Sequence, residues 1–164
     1  MLEDYRIRIH QLTKTTDVSN FDCGIPELNE YLQHDAYRNQ TEWLSVTKVM
    51  FLDGNLVGYF TITPDTLHKG RIDISDKLND YPYQKYPAVK LARLAVDKSY
   101  QHRGFGKALM REFFYTAHQI AKIEGSRFIK SYFLFRLAFD FCNCNFIAIL
   151  YKFFGSAVRT HQSI

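Results

Sequence analysis

The sequence predicts an α/β (α+β) domain, a mixed central β-sheet flanked by helices, formed as a single unit over residues 1–164. Three observations predict it. Two β-rich runs in SVTKVMFLDGNLVGYFTIT close on Asp53-Gly54-Asn55, a tight hairpin in which Gly54 supplies the unusual φ. An alternating run, AVKLARLAVD, leads through a glycine turn into the amphipathic stretch GFGKALMREFFYTAHQIAKIEG. A further β-rich run, SRFIKSYF, follows that helix, so a hairpin precedes a β-α-β unit and one sheet must hold both strand senses.

The elements follow in order. YRIRIHQL alternates and reads as a first strand. In SNFDCGIPELNEYLQHDAYRNQ, Asp22 is placed as an N-cap and Pro26 in the first turn, with Leu28, Tyr31, Leu32 and Ala36 at near-helical spacing. The hairpin comes next. TPDTLHKGRIDISDKLNDYPYQKYP is polar, carries prolines, and reads as an irregular connection. In the long helix, Leu109, Phe113, Ala117, Ile120 and Ala121 share a face, and Gly125 is its C-terminal stop. Tyr132 to Phe154 is greasy enough to suggest a membrane span. Arg136 and Asp140 fall inside it at about 3 kcal/mol each near a bilayer centre, so strand plus helix is the expectation.

Composition narrows the function. A chain of 164 residues supports one domain with a real core. A net charge of +4 suits an anionic ligand but falls short of a dedicated nucleic-acid binder's dense basic stripe. Three cysteines, Cys23, Cys142 and Cys144, do not make a disulfide framework, and six histidines without HExxH or CxxC pairing give no metal site. The charged start MLEDYRIRIH lacks the apolar core of a signal peptide. A reducing, cytoplasmic setting is expected, with no membrane partner.

The chemistry concentrates in YQHRGFGKAL, Tyr100 to Leu109. A turn that opens a helix aims unpaired amides outward, and the helix dipole adds positive potential, which makes an anion site. Gly104 and Gly106 keep that backbone bare between Arg103 and Lys107. A P-loop fails because Gln101 replaces its first glycine and Ala108 its Ser/Thr; a dinucleotide fingerprint fails because Leu109 replaces its third glycine.

What remains, Gln101-x-x-Gly104-x-Gly106 after the strand LARLAVD, resembles motif A of the GNAT (GCN5-related) N-acetyltransferases. The hairpin segment DGNLVGYFTIT and KLARLAVDKSYQHRGFGKALM extend the resemblance over most of the chain. FDCGIPELNEYL is similar to the opening helix of a GNAT branch that includes toxins acetylating aminoacyl-tRNA. The resemblance implies a single GNAT domain and an acetyl-CoA-dependent N-acetyltransferase. It implies transfer to a primary amine by direct attack in a ternary complex, without a metal. Backbone groups of Leu94, Ala95 and Val96 would contact the pantetheine arm. Gln101, His102, Arg103, Gly104, Phe105, Gly106 and Lys107 would hold the pyrophosphate. An N–H on the cofactor strand, taken as Val96, would polarise the thioester carbonyl. The acceptor is a small-molecule, peptide or aminoacyl amine; the toxin branch would add tRNA and an antitoxin partner, and a homodimer is compatible with either. A non-catalytic acyl-CoA-binding module is the alternative from another class.

From about residue 131 the chain departs from the family pattern. The tyrosine that commonly protonates the leaving thiolate falls by spacing on Cys142 and by residue type on Tyr151, and Tyr132 is a third candidate. Glu42 and Asp65 lie on the expected substrate side as carboxylates that could act as a base. Cys23 has no His or Asp at partner spacing to make it a nucleophile. Arg38, Lys48, Lys85 and Lys90 are the cations expected to frame an anionic acceptor.

Overall fold

The two-residue loop Asp53-Gly54 sets the sheet's register. Both residues are left-handed, at φ 48° and 84°, which gives the twist that flanking strands need. This computed structural model describes residues 7–131 together with 151–152. Strands β2 (Val46–Leu52) and β3 (Asn55–His68) leave that turn antiparallel, and β1 (Ile7–Gln11) pairs along the outer edge of β2. Strand β4 (Lys85–Val96) runs antiparallel to β3, and β5 (Phe128–Ser131) runs parallel to β4. Strand β6 (Tyr151–Lys152) pairs antiparallel with β5, so the order is β1-β2-β3-β4-β5-β6. This is the expected mixed sheet.

Helices cover both faces. Helix α3 (Phe105–Glu124) lies on one, burying Leu109, Phe113, Ala117 and Ala121. Met50, Phe60, Ile62, Val89, Leu91 and Val96 meet it from the strands. Gly125, at φ 75°, ends α3 by giving its N–H to Ala121 O. On the other face, α1 (Pro26–Glu30), a π-helical turn at Tyr31–Asp35 and α2 (Ala36–Thr41) follow one another without a break. Tyr31, Leu32 and Ala36 bury there against Val49, Tyr59 and Ala95. Strand alternation sends neighbours such as Tyr59 and Phe60 to opposite layers.

Two expectations need correction. The polar segment after the hairpin is not irregular throughout: β3 continues to His68 and β4 begins at Lys85. Pro64 sits within β3 because β2 pairs no further than Ile62 there, so the missing N–H interrupts no three-strand ladder. Only the middle is irregular, with 3₁₀ turns at Lys69–Arg71 and Ile74–Asp76. Asp22 is also not a helix cap. The N-cap position belongs to Ile25, without a side-chain bond, and Asp22 is used elsewhere. The segment read as strand plus helix after β5 lies, apart from β6, outside the described residues. Among those described, no helix is long and apolar enough to cross a membrane.

Candidate functional site

The site is built on the end of β4. Thr61 pairs with Arg93 but Ile62 with Leu91, so Ala92 is an extra residue in β4. Pairing with β5 reaches Leu91↔Ser131 among the described residues. Beyond it, β4 is bonded to β3. The Asp97 amide donates to Val57 O at 2.8 Å, which makes that pair hydrogen-bonded. By antiparallel alternation, Gly58/Val96 and Phe60/Leu94 are then non-hydrogen-bonded pairs. The amides and carbonyls of Leu94 and Val96 therefore face away from β3, whereas those of Ala95 belong to the β3 ladder. The sequence reading grouped the three residues; the register separates Ala95 from the other two. Gly58 permits this close approach, since a Cβ there would lie 2.5 Å from Ala95 O.

The chain next turns into α3. His102 and Gly104 are left-handed, at φ 61° and 87°, with Arg103 between them. That alternation of hands turns successive amides to one side, a shape suited to an anion. The helical ladder starts with Ala108 N–H on Gly104 O at 3.2 Å, so the amides of Phe105 and Gly106 stand ahead of it. A Cβ on Gly104 would meet nothing within 4 Å, the first turn holds no acidic residue, and no side chain caps it. Arg103 lies over the rings of Tyr100 and Phe105, at 5.4 and 5.6 Å. A bare, amide-rich, cationic helix start fits a diphosphate.

Gln101 has another task. Its Nε2 donates to Val96 O at 3.0 Å and to Cys23 O at 2.9 Å, so both amide protons are spent inside the protein. It fixes the turn's position. Asp97 helps, accepting from Ser99 N with one oxygen and from Asp22 N with the other. Asp22 accepts from Gly24 N, from Asn29 Nδ2 and from Lys98 Nζ at 2.7 Å. The Lys98 ammonium, then the Gly24 amide and Asn29, hold its carboxyl down to about 2. FDCG is thus fastened to the cofactor turn, which local sequence did not reveal.

The other predicted residues fare unequally. Tyr151 pairs with Ile129 as a residue of β6, while Cys142 and Tyr132 lie outside the described residues. Asp65 is no isolated surface carboxylate. Burial raises its pKa, but Lys130 at 2.9 Å and neighbouring donors outweigh that and hold it below the ordinary range, which unfits it as a base near neutral pH. Cys23 is 3% exposed, and burial pushes its thiol up, against a nucleophilic role. Among the four cations expected around the acceptor, Arg38 binds Asp35, Lys48 binds Glu112 and Thr116 under α3, and Lys90 lies 3.9 Å from Asp65. The cation missed was Arg93. Its guanidinium stacks 3.7 Å above the Tyr31 ring, beside the freed stretch of β4. A charge inside the alternating run LARLAVD was the available signal.

Two expected outcomes follow from this geometry. Gly104→Asp, introducing charge and bulk at a left-handed position, weakens acetyl-CoA binding by about a hundredfold or more through lost phosphate hydrogen bonds. Calorimetry on folded protein is the check, and unchanged affinity would place the diphosphate elsewhere. The Asp22 carboxylate has a depressed folded-state pKa, so its stabilisation is complete above its unfolded value of about 3.9 and is lost as pH falls towards about 2. The Tm gap between the protein and Asp22→Asn should hold steady at pH 6–8 and close over roughly pH 4 to 2. A gap that survives at pH 2 contradicts the carboxylate's role.

Comparison with known proteins bears on the family and the fold. The chain is 29% identical over 119 residues to a tRNA-acetylating toxin of Mycobacterium tuberculosis, covering 73% of this chain and 70% of that protein. The fold matches AtaT complexed with acetyl-methionyl-tRNAfMet at a TM-score of 0.76 and 21% identity, covering 89% of this chain and 94% of the other. It also matches a tyrosine-to-phenylalanine variant of the AtaT toxin bound to acetyl-CoA and the C-terminus of the antitoxin AtaR. There the TM-score is 0.69 at 20% identity, with 90% and 93% covered. The acetyltransferase (GNAT) family model matches residues 9–127. That match spans well over half of the sequence: the chain belongs to the acetyltransferase (GNAT) family.

Proposed function

We propose that this acetyl-CoA-dependent N-acetyltransferase takes the α-amino group of an aminoacyl-tRNA as its acceptor and acts in the cytoplasm as a toxin paired with an antitoxin protein. The observation that carries the reading is the 29% identity, over most of the chain, to a tRNA-acetylating toxin. The broader expectation, transfer to any primary amine, contains this one. Its support in the molecule is the fastening of FDCG, the segment that resembled the toxin branch, to the turn assigned to the donor.

In this mechanism the residues of the chain have separate tasks. Arg103, Gly104, Phe105, Gly106 and Lys107, with the His102 backbone, hold the pyrophosphate, and Gln101 holds the turn. Leu94 offers its outward backbone groups to the pantetheine arm, while the Val96 carbonyl is held by Gln101. The Val96 N–H, fixed in direction by the strand, takes the thioester oxygen as charge develops on it. The acceptor amine, having lost a proton to water, attacks the carbonyl carbon directly. The C–S bond breaks, a protein acid protonates the departing thiolate, and the proton still carried by the new amide nitrogen passes to water, from which the acid is restored. Tyr151 is assigned that role because a phenol suits the task; Cys142 is its rival.

The test is acetyl transfer to charged tRNA, followed with labelled acetyl-CoA and by release of free thiol. Transfer should proceed at low salt and fall about tenfold or more between 50 and 200 mM as phosphate contacts release counterions. No transfer to tRNA ends the toxin reading, and no thiol release with any amine leaves an acyl-CoA-binding module. For the acid, Tyr151→Phe should lower kcat about 10²-fold with little change in KM for acetyl-CoA, while Cys142→Ala leaves kcat in place. The reverse pattern would move the role to Cys142.

A further inference from the structure

Strand β4 carries a cation where strand periodicity alone would put an apolar side chain. Val89 and Leu91 face α3, and unbroken alternation would send residue 93 the same way. The extra residue at Ala92 resets the phase: Leu94 and Val96 pack towards α3, and Ala95 packs towards α1 and α2. Arg93 turns with Ala95. It comes to rest on Tyr31, a side chain 4% exposed at the head of the π-helical turn. Tyr31 is itself held, sharing a hydrogen bond with Ser45 Oγ at 3.3 Å. Both supports of Arg93, a bulge and a π-helical turn, are irregularities of a kind that collects at functional sites.

Arg93 is half-buried, and its guanidinium lies over the Tyr31 ring. Among the described residues it has no carboxylate partner and no hydrogen bond. Asp65 is taken by Lys130, Asp35 by Arg38, Glu112 by Lys48 and Asp22 by Lys98. The ring contact occupies the guanidinium's face and, among the described residues, leaves the planar fork of N–H donors along the edge unused. A part-desolvated cation so placed is completed by an anion that arrives with a ligand. That ligand is not the donor, whose diphosphate belongs at the start of α3, beyond the end of β4. In an aminoacyl-tRNA the amino acid is an ester without a carboxylate. The anion nearest its amine is the phosphate of the 3′-terminal nucleotide.

We propose that Arg93, levelled on Tyr31, anchors the acceptor by taking a phosphate oxygen of its 3′-terminal nucleotide beside the freed segment of β4. This rests on the aminoacyl-tRNA reading above. Arg suits the task because its fork meets a phosphate with two bonds while its face stays on the ring. Lys85 and Lys90, earlier in β4, and Arg38 on α2 would then add only diffuse attraction.

The test uses the full chain saturated with CoA and the oligonucleotide 5′-CCA-3′ as probe, read by calorimetry beside adenosine, which has no phosphate. R93Q should bind the oligonucleotide about tenfold or more weakly, with adenosine and acetyl-CoA affinities unchanged. R93K, which keeps charge and stem but loses the fork, should fall between, and it carries the test if R93Q folds poorly. In turnover, R93Q should raise KM for charged tRNA while leaving KM for an aminoacyl-adenosine, which lacks the phosphate, where it was. Equal oligonucleotide affinity in both proteins, or no binding by the unaltered one, overturns the proposal. So does an equal loss on the phosphate-free acceptor, which would mean that Arg93 reads another group or only supports the fold. Failure of the tRNA reading itself appears separately, as absence of transfer to charged tRNA by the unaltered protein.

Discussion

A turn that offers its amides to a ligand cannot use them to hold itself together, and the same backbone must nevertheless keep one shape. In this chain the side chains around the turn supply the missing bonds. Gln101 spends both amide protons on Val96 O and Cys23 O, and Asp97 collects the amides of Ser99 and Asp22. Asp22 closes the arrangement through Lys98. Three of these contacts, Gln101 to Cys23, Asp22 to Asp97 and Lys98 to Asp22, join residues more than seventy positions apart, so the glycine turn is fastened to the approach to α1. Each neutral bond contributes about 1 kcal/mol, and the exposed Asp22–Lys98 pair less than its geometry suggests. Their sum matters less than their direction, because left-handed backbone at His102, unlike that at Gly104, persists only where surroundings over-determine it.

Strand β4 shows the same division of labour. One side of it is committed to β3, and the extra residue at Ala92 falls where the described pairing with β5 stops. That single insertion leaves Leu94 and Val96 with backbone groups facing outward. It also moves Arg93 from the α3 core to the Tyr31 face. A substitution that removed the bulge would alter backbone and side-chain presentation together. Gly58 belongs to the same constraint: β3 and β4 approach so closely that Ala95 O would collide with any Cβ.

The layer at Tyr31 also buries polar side chains. Thr47 and Thr61, both fully buried, bond to each other at 2.8 Å beneath it, and Tyr59 gives its hydroxyl proton to Leu28 O. Burial, with the nearby Cys23 thiol adding to it, pushes the Tyr59 phenol far up, so it stays protonated as a donor to the helix. Tyr31 goes the other way. Burial raises its pKa, and the hydroxyls of Ser45, Thr61 and Thr47 more than offset that. Two tyrosines a ring apart, 6.3 Å between centroids, therefore differ in character: burial decides for Tyr59, and hydroxyl partners outweigh burial for Tyr31.

What the sequence determined by itself is what short-range periodicity encodes. The hairpin at Asp53-Gly54, the apolar face of α3, its stop at Gly125 and the glycine turn all depend on residues within one or two turns of each other, and each stands where the pattern put it. So does the family resemblance, carried chiefly by the contiguous Gln101-x-x-Gly104-x-Gly106 motif and extended by the hairpin and FDCG segments. The errors share a cause. Asp22 has the residue type and position of a cap, but its partners at 97 and 98 lie across the molecule. Pro64 reads as a breaker, but β2 has already ended beside it. Ala95 and Leu94 are indistinguishable as neighbours in an alternating run until β3 fixes which amides are spent. Arg93 reads as one charge among many until the bulge and the π-helical turn bring it over Tyr31. Tertiary structure alone decided these points, because hydrogen-bond partners and facing surfaces are set by which distant segments meet, and local pattern carries no record of that meeting.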